Sequence, residues 1–230
     1  VVTTPTLTQA EIWLLEHVRC FRITTPEHAQ KLCEFPSAEA TTEALKTLSA
    51  SGLLAVGQLF SDRLCYSLSR AGLDFLQASP TEGKAINPTA LLDSYGILAF
   101  CAETPNRQKL TRENFLSLYP ELAIRGAVQG NYYLDSDEKL PRLGYIAVDR
   151  GDNINRIIGR IETKVLRRRA QVPVWQANFL SEGSPLFVLA FVTPSPWKAN
   201  KFAGYFQKTW PHLPIRTGIV PELFQILNRL

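Results

Sequence analysis

The sequence predicts a mixed α/β protein built from two domains, and three observations support this fold class. Apolar residues recur at helical spacing through the first 78 residues, where two short β-prone runs then follow. Residues 79–90 are rich in Pro, Thr, Ala and Gly without an apolar period, as in an interdomain linker. Residues 91–230 alternate strand-like and helix-like segments, which is typical of an α/β domain.

Three helices are predicted in the first domain, 1–78. Each has a hydroxyl-bearing residue placed to accept a hydrogen bond from the first helical turn, and the second also has a proline at its first helical position. Glycine after the third run ends that helix. The predicted helices run from Thr8 to about Arg22, from Pro26 to about Cys33, and from Ser37 to Gly52.

A β-hairpin is predicted next, from Leu53 to Leu59 and from Arg63 to Leu68, and a short helix capped by Ser69 follows it. Three helices followed by a two-stranded wing is the order of a winged helix-turn-helix. The phrase "SGLL…LCYSLSRAGLDFL" resembles the end of many winged-helix regulators. In such folds the third helix enters the major groove, which predicts DNA contact by four residues: Thr41, Thr42, Lys46 and Arg63.

Binding to protein instead of DNA is the alternative for this domain. Glu39 and Glu43 lie on the same predicted third helix, and residues 1–85 carry 7 Lys/Arg against 9 Asp/Glu, a balance of −2. Residues 86–230 carry 18 Lys/Arg against 12 Asp/Glu, a balance of +6. We therefore expect a polyanion to be held mainly by the second domain.

The second domain, 91–230, is predicted to form a mixed sheet with helices around it. Residues Leu91 to Ala102 are expected to begin as a helix and end as a strand, and "TRENFLSLYPEL" to form a short helix. The polar turn "DSDEK" joins two strands into a hairpin. The two strands of this hairpin are "VQGNYYL" and "LGYIAVD". The segments predicted after them are a helix from Asn153 to Arg169, a buried strand "PLFVLAFVTP", a capped helix "SPWKANKFAGYFQKTW" and a last strand "IRTGIV".

The helix from Asn153 to Arg169 carries the strongest charge pattern. Its isoleucines group on one side at 100° per residue, and basic residues group on an adjacent side. Residues 156–169 hold six Lys/Arg against one acid, which favours contact with phosphates over a merely solvated face. The predicted phosphate-binding residues are Arg156, Arg160, Lys164, Arg167 and Arg168, with Arg169 extending the charge at the helix end.

A Mg²⁺-dependent nuclease is the alternative interpretation of the same stretch. Restriction-endonuclease-type sites need two acids for the metal and a lysine near the scissile phosphate. Their acid-x-lysine usually lies on a strand, where residues two apart face the same way. Glu162 and Lys164 fall within a helical pattern, so they should point about 160° apart. The set Asp149, Glu162 and Lys164, with Mg²⁺, is kept only as the fallback catalytic hypothesis.

The stretch "GYIAVDRGDNINRIIGRIETKVLRRR…PLFVLAFVTP" resembles the core of the replication-relaxation family of plasmids and other mobile elements. This resemblance implies a winged helix followed by a restriction-endonuclease-like domain. Asp149, Arg150 and Gly151 match the family's Asp-Arg-Gly, and Lys164 falls at its helical lysine. Ala147 stands at the position of a metal-binding acid, and Gln129-Gly130 replaces a Pro-Asp.

These departures predict a nuclease-like domain that no longer cuts. Asp149 would retain, at most, Asp135 or Asp137 of a turn as companions, so we expect no metal site and no cofactor. Asp149 is then expected to cap or pair at the start of the following helix, near Arg150 or Asn153.

The cysteines and aromatic residues suggest less specific roles. Cys20, Cys33, Cys65 and Cys101 lack C-x-x-C spacing, which favours reduced, buried thiols over a zinc site. Aromatic residues of the last third could stack bases or form core or a dimer face: Trp175, Phe179, Trp197, Phe202, Tyr205 and Phe206.

The sequence therefore predicts a DNA-binding regulatory protein of a plasmid or other mobile genetic element, acting in replication, transcription or transfer control, more a binding protein than an enzyme. Double-stranded DNA is the expected partner, and a homodimer or a protein partner remains open. A Mg²⁺-dependent relaxase or nickase and a protein-binding scaffold are the alternatives. No apolar run is long enough for a membrane span, so a cytoplasmic protein without membrane contact is expected.

Overall fold

Two compact units make up the chain. The computed structural model describes residues 7–33, 35–61, 63–78, 86–122, 131–136, 141–180 and 186–229. The first unit is Val1–Ala102 with Arg229–Leu230, and the second is Glu103–Asn228. The division falls after Ala102, whereas the sequence pattern places a linker at 79–90, where residues 79–85 lie outside the described part of the chain.

Three capped helices begin the first unit, as the sequence predicts. Thr8 and Glu11 form a reciprocal capping box at the first helix, and Thr25 and Ser37 accept hydrogen bonds from the first turns of the second and third. These caps satisfy backbone N–H groups that have no partner within a helix. The helices are α1 (Gln9–Phe21), α2 (Pro26–Leu32) and α3 (Ala38–Ala50).

An antiparallel hairpin of β1 (Leu54–Phe60) and β2 (Arg63–Leu68) follows, again as predicted. A backbone bridge joins Thr24, between α1 and α2, to Tyr66 of β2. The three helices and the hairpin share one apolar core, which includes Leu14, Leu15, Val18, Leu45, Leu48 and Leu54. Burial of these side chains is the main force holding the unit together.

Two further helices complete the first unit. Ser69 caps α4 (Arg70–Phe75), as predicted. The expectation that the segment ending at Ala102 becomes a strand is wrong, because α5 runs without interruption over Pro88–Ala102. Eight of its residues are buried, as expected of a helix that is apolar on every side. Its Tyr95 ring meets His28 and Phe60 edge-on.

A five-stranded mixed sheet forms the second unit, in the order β3-β4-β5-β6-β7. The first three strands pair antiparallel, and β5, β6 and β7 pair parallel. The mixed sheet and four of its strands are predicted from the sequence, while β3 is not. The strands are β3 (Arg107–Lys109), β4 (Tyr132–Asp135), β5 (Arg142–Val148), β6 (Phe187–Thr193) and β7 (Ile215–Ile219).

Apart from a last helix after β7, the helices of this unit connect its strands. The crossovers from β5 to β6 and from β6 to β7 join neighbouring parallel strands, and right-handed crossovers in that order place their helices on the same sheet face. A single apolar cluster joins these helices to the sheet. The helices are α6 (Arg112–Leu118), α7 (Ile154–Ile161) continued by a π-helical segment (Glu162–Arg167) and α8 (Arg168–Ala170), a π-helical turn (Trp175–Phe179), α9 (Pro196–Thr209) and α10 (Leu223–Leu227).

None of the helices in the described part of the chain is both long enough and apolar enough to cross a membrane.

Candidate nucleic-acid interface

The long helix of residues 154–170, formed by α7, the π-helical segment and α8, has a strict four-residue repeat. Buried residues come in adjacent pairs, 157/158, 161/162 and 165/166, and between them lie pairs that are exposed or half-buried, 155/156, 159/160, 163/164 and 167/168. The residues of the buried pairs belong to the apolar cluster that joins the helices to the sheet, except for Glu162. One side of the helix is therefore fixed on the sheet while the opposite side is presented outward.

The π-helical segment explains why a repeat of four keeps to one side. An α-helix turns once in about 3.6 residues, so residues four apart advance around the axis by about 40°. A π turn is wider, because its hydrogen bonds link residues five apart, and residues four apart there fall short of a full turn. The two drifts oppose each other, so the basic residues spaced by four, Arg156, Arg160, Lys164 and Arg168, stay roughly in line along the helix.

Five cations lie on this outward side, and we call them the basic rail: Arg156, Arg160, Lys164, Arg167 and Arg168. All five are exposed except Arg160, which is half-buried. Asp152 pairs with Arg160 at 3.0 Å and with Arg156 at 4.0 Å, so one carboxylate faces two guanidinium groups. Residues 152–168 hold five Lys/Arg and two acids, so the rail keeps a positive excess.

Arg169 does not belong to the rail, contrary to the expectation that it extends the charge at the helix end. It is 2% exposed, and its guanidinium carbon lies 5.1 Å from the ring centre of Trp175 and 5.5 Å from those of Tyr132 and Tyr145. It donates hydrogen bonds to the Val165 carbonyl, at 2.8 Å, and to the Tyr132 hydroxyl. Aromatic faces and dipoles thus stabilise this buried cation.

Glu162 lies at the boundary between the rail and α9. Its carboxylate accepts hydrogen bonds from the Tyr205 hydroxyl at 2.7 Å and from Arg167 at 2.8 Å. These two donors hold the pKa of Glu162 below its ordinary value, against the opposing effect of burial. The same hydrogen bond raises the pKa of Tyr205, because ionisation would place two anions side by side. Glu162 therefore serves as a fixed anionic link between two helices.

Asp149, at the carboxyl end of β5, is 1% exposed and fully hydrogen-bonded. Lys198 of α9 donates to both of its oxygens, at 3.1 and 2.9 Å, and Thr193 and the Gly151 N–H donate at 2.8 and 2.9 Å. The expected pairing near Arg150 or Asn153 needs correction: the N-cap of α7 is Asn153 itself, and the cation that pairs with Asp149 is Lys198.

The fallback catalytic set is not brought together. Asp149 lies at the carboxyl end of the central strand β5, whereas Glu162 is eight residues into the helix, roughly 12 Å along its axis. Lys164 is exposed while Glu162 is buried, in keeping with the predicted divergence of these two side chains. A lysine ammonium already neutralises Asp149 in the place where a metal ion would have to bind.

The other acids proposed for a metal are dispersed. The expectation that Asp135 lies in a turn is wrong, because this residue ends β4. There it is 2% exposed and pairs with Arg216 at 3.2 Å. Asp137 and Gln129-Gly130 fall outside the described residues. Within the described ranges, no group of three or more His, Cys, Asp or Glu side chains is arranged to hold a metal ion.

The DNA-contact residues predicted in the first unit have different surroundings. Thr41 is fully buried and donates to the Ser37 carbonyl, so it is removed from the candidate set. Thr42 is half-buried with its hydroxyl on the Ala38 carbonyl, and Lys46 is exposed. Arg63 lies 3.6 Å from Glu27 and stacks over Phe60, which leaves about a third of its side chain exposed.

Sequence reasoning missed the contribution of α9. Its lysines Lys198, Lys201 and Lys208 are three cations in a segment, 196–209, without any acid. A lysine-bearing helix without acids indicates a basic surface, but this pattern is weaker than the run of arginines at 167–169. Of the aromatic residues considered for stacking, Trp197 and Tyr205 are exposed, while Trp175, Phe179, Phe202 and Phe206 are buried core.

The chain matches no family model, and comparison with curated proteins and with solved structures finds no match.

Proposed function

We propose that this protein is a DNA-binding regulatory protein of a plasmid or other mobile genetic element, and that it binds DNA without cutting it. The basic rail is the observation that carries this proposal. Phosphates of a nucleic-acid backbone are the natural partner of a line of exposed guanidinium and ammonium groups. The buried side of this helix packs into the apolar core of the sheet, so the rail belongs to a folded surface.

The first unit supports the same function. Three capped helices, a hairpin and the Thr24–Tyr66 bridge follow the order of a winged helix-turn-helix. We propose that α3 provides sequence preference, with Lys46 and Thr42 as its contacts and Arg63 in the wing. Glu39 and Glu43 on the same helix favour a limited contact with phosphates, so most of the affinity is assigned to the rail.

Binding without cleavage is favoured by the surroundings of Asp149. Its oxygens accept four hydrogen bonds, two of them from a lysine, and the Ala147 position offers no second carboxylate. Incubation with supercoiled plasmid and Mg²⁺ or Mn²⁺ tests this directly, and we expect the plasmid to stay supercoiled. Nicking that disappears in Asp149→Ala would instead establish the nickase alternative.

The rail is tested by replacing cations without disturbing the fold. Arg156 and Lys164 are the best choices, because Arg160 and Arg167 form close ion pairs whose loss would also change stability. We expect Arg156→Gln with Lys164→Gln to weaken binding to duplex DNA of any sequence, by about tenfold at low salt, and to flatten the dependence on salt.

The control for this pair removes the same charge elsewhere. Arg70 and Arg112 are exposed cations on α4 and α6, and Arg70 pairs with Asp74 at 3.2 Å only between two solvent-exposed side chains, so loss of that pair should change stability little. Arg70→Gln with Arg112→Gln should leave affinity within about twofold, since surface charges away from a contact act weakly through salt solution. Equal loss in both double variants would mean that only net charge matters, and duplex binding without steep salt dependence would remove the rail from the proposal. Selection of bound sequences from random DNA would then identify the operator.

A further inference from the structure

The long helix and α9 run side by side in the same direction. Lys198, near the start of α9, donates to the Asp152 carbonyl just before α7 at 3.0 Å. Seven residues later, Tyr205 donates to Glu162 in the π-helical segment at 2.7 Å. The later residue of α9 thus contacts the later residue of the long helix, as in two parallel helices on one sheet face. Their outward sides therefore form one continuous surface.

Basic residues of α9 line its side of this surface. Lys198, Lys201, Tyr205 and Lys208 follow one another at intervals of three, four and three residues, which places them on one stripe of the helix. Tyr205 fixes that stripe against the long helix. The five rail cations with Lys201 and Lys208 make seven Lys/Arg on this surface, against Glu162 and the flanking Asp152, so the surface keeps a positive excess that suits a polyanion.

An aromatic side chain lies among these cations. Trp197 is 61% exposed, and its ring centre lies 5.2 Å from the Lys201 ammonium nitrogen. Tyr205, also partly exposed, lies eight residues further, about 12 Å along the helix axis. An exposed indole beside a lysine, on a basic surface, suits a flat ligand that also carries negative charge, because an apolar peptide would gain nothing from the cations.

We propose that this surface binds unpaired nucleic-acid strand, with the rail, Lys201 and Lys208 on phosphates and Trp197 stacked on a base. The proposal rests on the function proposed above and names the form of nucleic acid that this site prefers. A base stacks on an aromatic ring only when its face is free, and a duplex hides base faces within its own stack. Trp197 should thus contribute to binding a single strand and little to binding a duplex.

The test compares a fluorescently labelled oligothymidylate of about 15 nucleotides with a duplex of equal length, by fluorescence anisotropy. We expect Trp197→Ala to weaken single-strand binding about tenfold and to change duplex binding less than about twofold. Trp197→Phe should recover most of the loss, because it restores an aromatic face. Trp13→Ala is the matched control, since Trp13 is also 61% exposed but lies on α1, and it should bind both forms as the wild type does.

Each failure has its own meaning. Unchanged single-strand binding in Trp197→Ala, or equal loss for single strand and duplex, overturns the stacking proposal. A wild-type protein that binds duplex but not oligothymidylate also overturns it and leaves the proposed function standing. A wild-type protein that binds neither form overturns both.

Discussion

Lys198 donates hydrogen bonds to both carboxylate oxygens of Asp149, at 3.1 and 2.9 Å, in a place where the acid is 1% exposed. The pair joins the end of β5 to the first turn of α9, across the end of β6, where Thr193 donates to the same carboxylate. Three neighbouring elements are therefore locked together at the carboxyl edge of the parallel strands.

Removal of this lysine should destabilise the protein strongly. Lys198→Met leaves a buried carboxylate without its cation, which we expect to cost about 3–5 kcal/mol of unfolding free energy. Urea unfolding followed by circular dichroism measures the change, and Lys201→Met, an exposed lysine in the same helix, should cost less than about 0.5 kcal/mol. Adding Asp149→Asn to Lys198→Met should recover part of the loss, whereas strict additivity of the two changes would argue against coupling.

Local signals made most of the fold predictable. Helix starts at Thr8, Ser37 and Ser195 depend on side-chain caps within three residues, and such short-range chemistry is visible in the sequence. The strand predicted at the end of α5 was wrong because a helix buried on every side has the same unbroken apolar run as a buried strand.

The site was predictable only in outline. The rail follows from helical spacing, but Arg169 looks the same as Arg167 and Arg168 in the sequence, and only the ring positions of β4, β5 and the turn at Trp175 show that it is buried. The Asp149–Lys198 pair spans 49 residues, and its formation depends on strand order, which no local pattern specifies.

Arg169 and Arg168 should differ sharply when replaced. Arg169→Ala empties a fully packed site and leaves the Tyr132 hydroxyl without its donor, so we expect a loss of about 3 kcal/mol or more. Arg168→Ala, its exposed neighbour, should lose less than about 0.5 kcal/mol. Arg169→Lys should also be destabilising, because an ammonium lacks the planar, multi-donor guanidinium that contacts three rings and donates to both Val165 and Tyr132. Similar unfolding midpoints for the two alanine variants would contradict the buried position.

Acid should remove the stabilisation that Glu162 provides. Its folded-state pKa lies below the ordinary 4.5, so the folded chain binds fewer protons than the unfolded chain between the two values. The contribution is complete above about pH 4.5 and is lost as the pH falls through the folded-state pKa. Glu162→Gln should therefore cost about 1–2 kcal/mol near pH 7, and this cost should shrink progressively as the pH is lowered below 4.5, by urea unfolding at each pH. If the difference in unfolding free energy between wild type and Glu162→Gln stayed constant with pH, the charge of Glu162 would not be the source of the stabilisation.

Glu162→Gln should also strengthen DNA binding, if the rail binds phosphates as proposed. Glu162 holds Arg167 at 2.8 Å, and a phosphate must compete with this carboxylate for the guanidinium. Neutralising the acid should raise duplex affinity by about threefold to tenfold at low salt, with the gain shrinking as salt is added. Fluorescence anisotropy measures it, well below the unfolding temperature of the variant. Glu121→Gln removes the same charge from an exposed position after α6 and should change affinity less than about twofold. An equal gain in both variants would place Arg167 outside the interface, because net charge alone would then account for the effect.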